Sequence, residues 1–211
     1  MTVSITFIIL AATVYVSYVA FQQTDVFNRF VFNPYTILRR KEWYRFVSCA
    51  LLHADYMHLA VNMIVFYSFG RYVEREYHAY FGQLGSFYFI GLYVFGAAFA
   101  NIASYFKHRH NAGYNAVGAS GAVSAVTFAS IVFSPWGEVL IFGILPLYSL
   151  VYGLLYLGVE YYLSWQDRGD HVNHDAHFYG ALFGIIYTMI CKHGLYDEFI
   201  FQITHPPFLS N

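Results

Sequence analysis

Ser120 stands between glycines in Val117-Gly118-Ala119-Ser120-Gly121-Ala122, where a polar loop gives way to an apolar run. That places the hydroxyl in the first turn of a helix, where unpaired backbone N–H groups and the positive dipole end collect. A nucleophile there has donors for a developing oxyanion beside it. The same small residues would also serve as a packing seam, so the segment alone does not decide. Three other polar side chains belong to the question. His58 and Asn62 are four residues apart, on one face of one helix. His177 precedes Gly180 and Gly184 by three and seven residues, so its face can approach another helix closely. Together they suit a serine hydrolase: His177 as general base for Ser120, with the Ser120 N–H, Asn62 and His58 stabilising the oxyanion. Asp175, two residues from His177, points away along the helix, so the expectation is a Ser120/His177 pair without a third member. His53 is five residues before His58, off its face, and reads as a structural histidine at a loop–helix junction.

The elements that must position these groups are membrane helices. The chain is 58% hydrophobic and 22% aromatic but only 11% charged, against about 25% charged in soluble domains. Six spans are expected: 3–21, 55–72, 82–105, 118–134, 147–165 and 176–191. The stretch 22–54 carries charge but is too aromatic for a solvated linker, and predicts a first loop folded at the interface with short helices. The fourth span, about seventeen residues, is roughly 25 Å long against a ~30 Å hydrocarbon core, so its Ser120 end lies below the surface. The piece 138–146 reads as interfacial. His58, Asn62, Ser120 and His177 all fall near the starts of even-numbered spans, which begin on one membrane side, so they converge at one depth. No repeat is present; residues 1–192 form one membrane domain and 193–211 a tail.

These residues resemble the rhomboid family of intramembrane serine proteases. The likeness rests on Glu42-Trp43-Tyr44-Arg45 in the first loop and on the His-x4-His-x3-Asn pattern of His53, His58 and Asn62. Gly118-Ala119-Ser120-Gly121 and Ala176-His177-x2-Gly180-x3-Gly184 complete it, with Phe69-Gly70-Arg71 and Glu74 also similar. The resemblance implies an all-α, six-helix membrane bundle with a structured first loop. It implies cleavage of single-span membrane proteins in or near the bilayer, with no metal or cofactor, and a site open to the extracytoplasmic side. Substrate would enter between the second and fifth spans. Trp43, Arg45, His53, Gly118, Gly121, Gly180 and Gly184 take structural roles in that pattern. Two positions depart from it. Tyr44 separates Trp43 from Arg45, and Ser124 stands where an aromatic that packs on the histidine ring, or a glycine, is common. The His177 ring is therefore expected to be held by an aromatic from elsewhere, or by Ser124 itself.

Family topology puts the N-terminus in the cytoplasm. Basic residues run the other way: Arg71, Arg75 and Lys192 inside, against Arg29, Arg39, Arg40, Lys41, Arg45, Lys107, Arg109 and Arg168 outside. Five of the outer eight lie in the folded first loop, and the family orientation is retained. A short N-terminus without a transit peptide points to a multi-pass plasma (inner) membrane protein. Cys49 and Cys191, on opposite sides, are expected as free thiols. A net charge of −1 gives no nucleic-acid signal. Metalloprotease chemistry is excluded for want of His-Glu-x-x-His, and aspartyl intramembrane chemistry for want of paired in-span aspartates. A transporter is disfavoured by the lack of internal symmetry. A catalytically inactive rhomboid-like binding protein shares the fold, and a bis-histidine haem protein would use His58 and His177 but leave Ser120 and Asn62 unexplained. His108, His110, His171 and His174 read as solvated loop histidines rather than a metal site.

Overall fold

The structure is a computed structural model that describes residues 4–141, 143–166, 172–191 and 193–209. Val3 at the start of the expected first span, Arg168 and His171 in the last loop, and Lys192 at the domain edge lie outside the described residues. Among the described residues the chain is mostly helical, in the order α1 (Ile5–Gln22), α2 (Thr24–Phe30), α3 (Pro34–Arg40), α4 (Arg45–Ser48), α5 (Tyr56–Phe81), α6 (Gly85–Ala100), α7 (Ile102–His108), α8 (Ser120–Phe133), α9 (Ser149–Gln166), α10 (His174–Cys191) and α11 (Leu195–Thr204). Among the described residues the departure from an all-helical chain is an antiparallel hairpin of β1 (Glu138–Ile141) and β2 (Leu145–Tyr148). It occupies the stretch expected as an interfacial piece.

At the centre is α8, in which every residue from Gly121 to Val132 is buried. A helix apolar on all sides belongs in the middle of a bundle. Its closest partner is α10, and glycines set the separation. A Cβ on Gly180 would lie 2.2 Å from the Gly121 carbonyl oxygen, and one on Gly184 2.0 Å from that of Ala125. The two backbones touch along two turns, as small-residue seams allow. The outer helices α5, α6, α9 and α10 carry large exposed apolar side chains, among them Ile64, Phe87, Leu154 and Ile190. A surface of that extent suits a hydrocarbon solvent, not water.

α1 is inverted in character. Thr6, Thr13 and Ser17 are fully buried while Phe7, Ile8 and Tyr15 face out. The inward stripe ties α1 to α5 because Glu74 accepts from Ser4 Oγ (2.6 Å), the Ile5 N–H (2.6 Å), Thr6 Oγ1 (2.7 Å) and the Thr6 N–H (3.2 Å). The two N–H groups are orphan donors of a helix start, met by a carboxylate where the dipole favours one.

α1 and the run Tyr56–His108 are long and apolar enough to cross a membrane. That run turns on itself at Gly82 (φ +59°), and Phe81 stacks on Tyr88 at 4.1 Å, so α5 and α6 lie side by side. α5 runs to Phe81, well beyond the expected limit at residue 72, because Arg71, Glu74, Arg75 and Glu76 are good helix formers and Glu74 is fixed by α1. The expected third span divides instead at Asn101, whose side-chain amide donates to Ala97 O (2.9 Å), Phe46 O (3.3 Å) and Cys49 Sγ (3.5 Å). α11 returns to the bundle, where Trp136 Nε1 donates to Gln202 O at 2.7 Å.

Two glycines test the seam. Gly184→Ala should destabilise the detergent-solubilised protein by about 3 kcal/mol, because its Cβ meets the fixed backbone of Ala125. Gly158→Ala, where nothing lies within 4 Å, should leave the melting temperature unchanged or raise it. Equal effects of the two substitutions would contradict a seam set by Gly184.

Candidate active site

The loop before α8 is fixed by the first loop. Arg45, 6% exposed, donates from Nε to Glu42 (2.6 Å) and from its guanidinium to Asn28 O and Val31 O (both 2.8 Å). Trp43, half exposed, stacks on Phe46 and meets Tyr105 at a tilt. So held, the backbone at Phe32 exchanges two 3.0 Å hydrogen bonds with Ala116. Asn33 caps α3 and donates to Ala112 O, Tyr114 O and Asn115 Oδ1. The Gly118 N–H then donates to Cys49 O at 3.1 Å. Burial pushes the Cys49 thiol up to about 12, so this cysteine stays protonated and is no rival nucleophile.

His53 links three elements. Ser17 Oγ donates to Leu51 O (2.8 Å) and therefore accepts from His53 Nδ1 (2.9 Å), which leaves Nε2 to accept from the Ala119 N–H at 3.5 Å. His53 thereby ties α1 to the residue that precedes Ser120. His58 lies beside it, with ring centroids 4.9 Å apart. Asp55 caps α5 by accepting the His58 N–H at 2.7 Å. The His58 Nδ1 accepts from the Ala54 N–H (3.5 Å), so its Nε2 carries the proton. That edge faces Gly118: a Cβ there would sit 2.9 Å from His58 Cε1, 3.1 Å from Nε2 and 3.6 Å from Ser120 Oγ. Only glycine fits the space, and its φ of +129° requires glycine independently.

The first hydrogen bond of α8 runs from Val123 N–H to Ala119 O (2.9 Å), so the N–H groups of Ser120 and Gly121 precede the ladder. Asn62 donates one amide hydrogen to His58 O (3.0 Å), and its second remains for another acceptor. Ser120, His58, Asn62 and His177 line one cavity of about 610 Å³ between α5, α8, α9 and α10, with Ser124, Thr127, Tyr152 and Tyr156. His177 reaches it because a Gly121 Cβ would lie 3.3 Å from Ala176 O, so the start of α10 abuts the start of α8.

Three features of the site were missed in the sequence. Glu160 of α9, 9% exposed, sits behind His177, and His177 Nδ1 lies 3.1 Å from its Oε1. A carboxylate accepts only, so the His177 proton sits on Nδ1 and Nε2 is left bare. His174 is not a solvated loop residue: it opens α10, with Nδ1 2.6 Å from Glu160 Oε2. The helix starts two residues before the expected boundary because the Asn173 side chain accepts the Ala176 N–H at 3.1 Å. The third is Tyr156 of α9. Its ring lies over His177, 6.5 Å between centroids and 29° between planes, and its hydroxyl bonds Ser124 Oγ at 2.8 Å. Of the two expected devices the aromatic from elsewhere is the one that occurs, and Ser124 bonds that aromatic, not the imidazole. A lone carboxylate in an apolar span was the available signal for Glu160. Asp175 does turn away, toward Ser164 and, at 3.8 Å, Lys107. His108 stacks on Tyr114, and His110 is exposed.

A family model described as a rhomboid domain matches residues 40–193. Rhomboid-like protein 11, chloroplastic, of Arabidopsis thaliana is 32% identical over 151 residues, covering 68% of this chain and 51% of that protein. RHOMBOID-like protein 12, mitochondrial, of the same plant is 23% identical over 189 residues, covering 82% and 54%. The chain spans about half the length of the curated relatives it matches.

The buried His53 makes stability depend on pH. Burial, with the charge of His58 adding and that of Asp55 opposing, lowers its pKa from 6.5 to about 3. Between those values the unfolded chain binds a proton that the folded chain refuses. The His53 contribution is therefore whole above pH 6.5 and declines as pH falls toward 3, by roughly 1 kcal/mol per unit. Melting curves from pH 8 to 5 should show this loss, and His53→Asn should flatten it. An unchanged slope in that variant would contradict the assignment.

Proposed function

The chain belongs to the rhomboid family, and we propose that it is an intramembrane serine endopeptidase that cuts single-span membrane proteins in or near the bilayer. One observation carries the reading. Ser120, His177, His58 and Asn62, spread over the sequence, line one cavity, and the far nitrogen of His177 rests on a buried carboxylate. Ser120 is the nucleophile. His177 takes its proton at Nε2 as the hydroxyl attacks the scissile carbonyl, then protonates the leaving amine. Glu160 extends the expected Ser120/His177 pair by holding the Nδ1 proton and stabilising the imidazolium that forms. The Ser120 N–H, the His58 Nε2–H and the second Asn62 hydrogen are the donors for the oxyanion.

We also propose the arrangement in the bilayer. α1, α5, α6, α8, α9 and α10 are the six spans, the first loop lies at the interface, and the Ser120 end opens to the extracytoplasmic side. The buried α8 has 14 residues, roughly 21 Å at 1.5 Å each, which sets Ser120 below a ~30 Å core surface. Substrate enters between α5 and α9, the two helices that wall the cavity on either side of α8. Against the haem alternative, Ser120 and Asn62 line the same cavity as the two histidines and would have no role in it. Against an inactive relative, both reacting residues are present.

Selective labelling by a fluorophosphonate tests the proposal, since an unactivated serine does not react. Wild-type protein in detergent should label at Ser120 and cleave a single-span substrate. Ser120→Ala and His177→Ala should each abolish nearly all cleavage without adding. His58→Ala and Asn62→Ala should cost at most ~10²–10³-fold in turnover. Chelators should not lower the activity. Cleavage at the wild-type rate by a folded Ser120→Ala protein would overturn the assignment.

A further inference from the structure

We propose that Glu160, His174 and His177 form a zinc site, and that zinc bound there stops the reaction. The proposal rests on the reading of His177 as general base. That base needs one carboxylate behind it, yet the structure aims two imidazoles at Glu160, each by Nδ1 and each at a different oxygen (2.6 Å for His174, 3.1 Å for His177). The three ligand atoms all lie within 4.8 Å of one another. His174 and His177 are one turn apart on α10, and Glu160 faces them from α9, so two helices form a clamp. The side chains are 11%, 18% and 11% exposed for His174, His177 and Glu160.

Two imidazoles and a carboxylate match zinc in type and number. Zinc takes nitrogen and oxygen ligands at about 2.0–2.2 Å in a tetrahedron, which sets ligand atoms on the order of 3.3 Å apart. Only small side-chain shifts separate the observed spacings from that value. Three protein ligands leave the fourth position for water. Magnesium and calcium require mainly oxygen and are disfavoured by the two nitrogens.

The consequence for catalysis follows from proton counting. A neutral imidazole carries one ring proton, and in the metal-free site His177 carries it on Nδ1. Zinc binds the unshared pair of Nδ1, so that proton must move to Nε2. Nε2 is the atom that has to accept the Ser120 proton. A zinc-bound His177 therefore cannot be the base, and metal occupancy and turnover exclude each other. His174 contributes a ligand and no step of the hydrolysis.

The experiment uses the full chain in detergent, stripped of metal and titrated with zinc chloride, with Mg²⁺ and Ca²⁺ in parallel. Binding is read by calorimetry and by the visible absorbance of a cobalt(II)-substituted sample. Catalysis is read by substrate cleavage and by the rate of Ser120 labelling. One zinc per chain is expected, with both activities lost in proportion to occupancy and restored by chelator, and with no response to Mg²⁺ or Ca²⁺. His174→Gln keeps a hydrogen-bond donor for Glu160 but lacks the imidazole ligand. It should retain zinc-free activity and need at least 10-fold more zinc for both binding and inhibition. Ser120→Ala should bind zinc as the wild type does. No saturable zinc binding by the wild type, equal binding by His174→Gln, or full labelling at saturating zinc would each overturn the proposal. The two readings separate cleanly. An active enzyme that ignores zinc refutes the metal site alone. A protein that binds zinc through His174 but neither labels nor cleaves supports the metal site and refutes the protease reading.

Discussion

The contact on which the rest depends is the meeting of two helix backbones. Gly180 lies against the Gly121 carbonyl and Gly184 against that of Ala125, at distances where no side-chain carbon fits. A serine at the start of one helix and a histidine at the start of the other are then neighbours by construction. Helices with larger residues at the contact pack 8–10 Å apart; at the closer approach set by glycine, a hydroxyl and an imidazole share one cavity. With α10 on the seam and α5, α6 and α9 on its other faces, α8 is buried on all sides, and its first turn is positioned from every direction. A preorganised site needs that rigidity, since donors that must reorient lose their advantage over water.

The second constraint is the support of the loop that precedes Ser120. Arg45 fixes the carbonyls of Asn28 and Val31, and the adjoining backbone pairs with Ala116. His53 accepts the Ala119 N–H while anchored to Ser17 on α1. Each bond is modest alone, about 1 kcal/mol net, but all are buried or partly so, and leaving one partner unpaired costs more than the bond gives. The first loop is thus part of the site although it holds none of the reacting atoms. It also explains why α1 turns Ser17 inward, onto Leu51 and His53.

Much of this was legible in the residues. The spacing of His58 and Asn62 sets them on one helix face, and the glycines around Ser120 and after His177 permit a close helix approach; the four residues line one cavity. Glu160 was not legible in the same way. It is one acid in an otherwise apolar run and carries no periodic signal, and its partner lies seventeen residues on, across a loop. Its value as a sign lay only in the cost of a carboxylate in hydrocarbon, which demands a partner without naming it. The apolar pattern begins at Ala176 and so leaves His174 in the loop, whereas the Asn173 side chain caps the helix earlier. An aromatic from elsewhere was the expectation, but nothing around Ser124 singles out Tyr156 among the many aromatics of the chain. The long α5 escaped for a plain reason: a charged turn that would end a span does not end a helix.

The central claim is that Glu160 keeps the His177 proton on Nδ1 and so leaves Nε2 as the base for Ser120. The most direct measurement is the tautomer of His177, read from the ¹⁵N shifts of histidine-labelled, metal-free protein at a pH where the ring is neutral. The account predicts a protonated Nδ1 and a bare Nε2 in the wild type, shifting toward the Nε2–H form in Glu160→Gln together with slower labelling of Ser120. A wild-type His177 with its proton on Nε2 would contradict it, because that ring has no free electron pair to offer the serine.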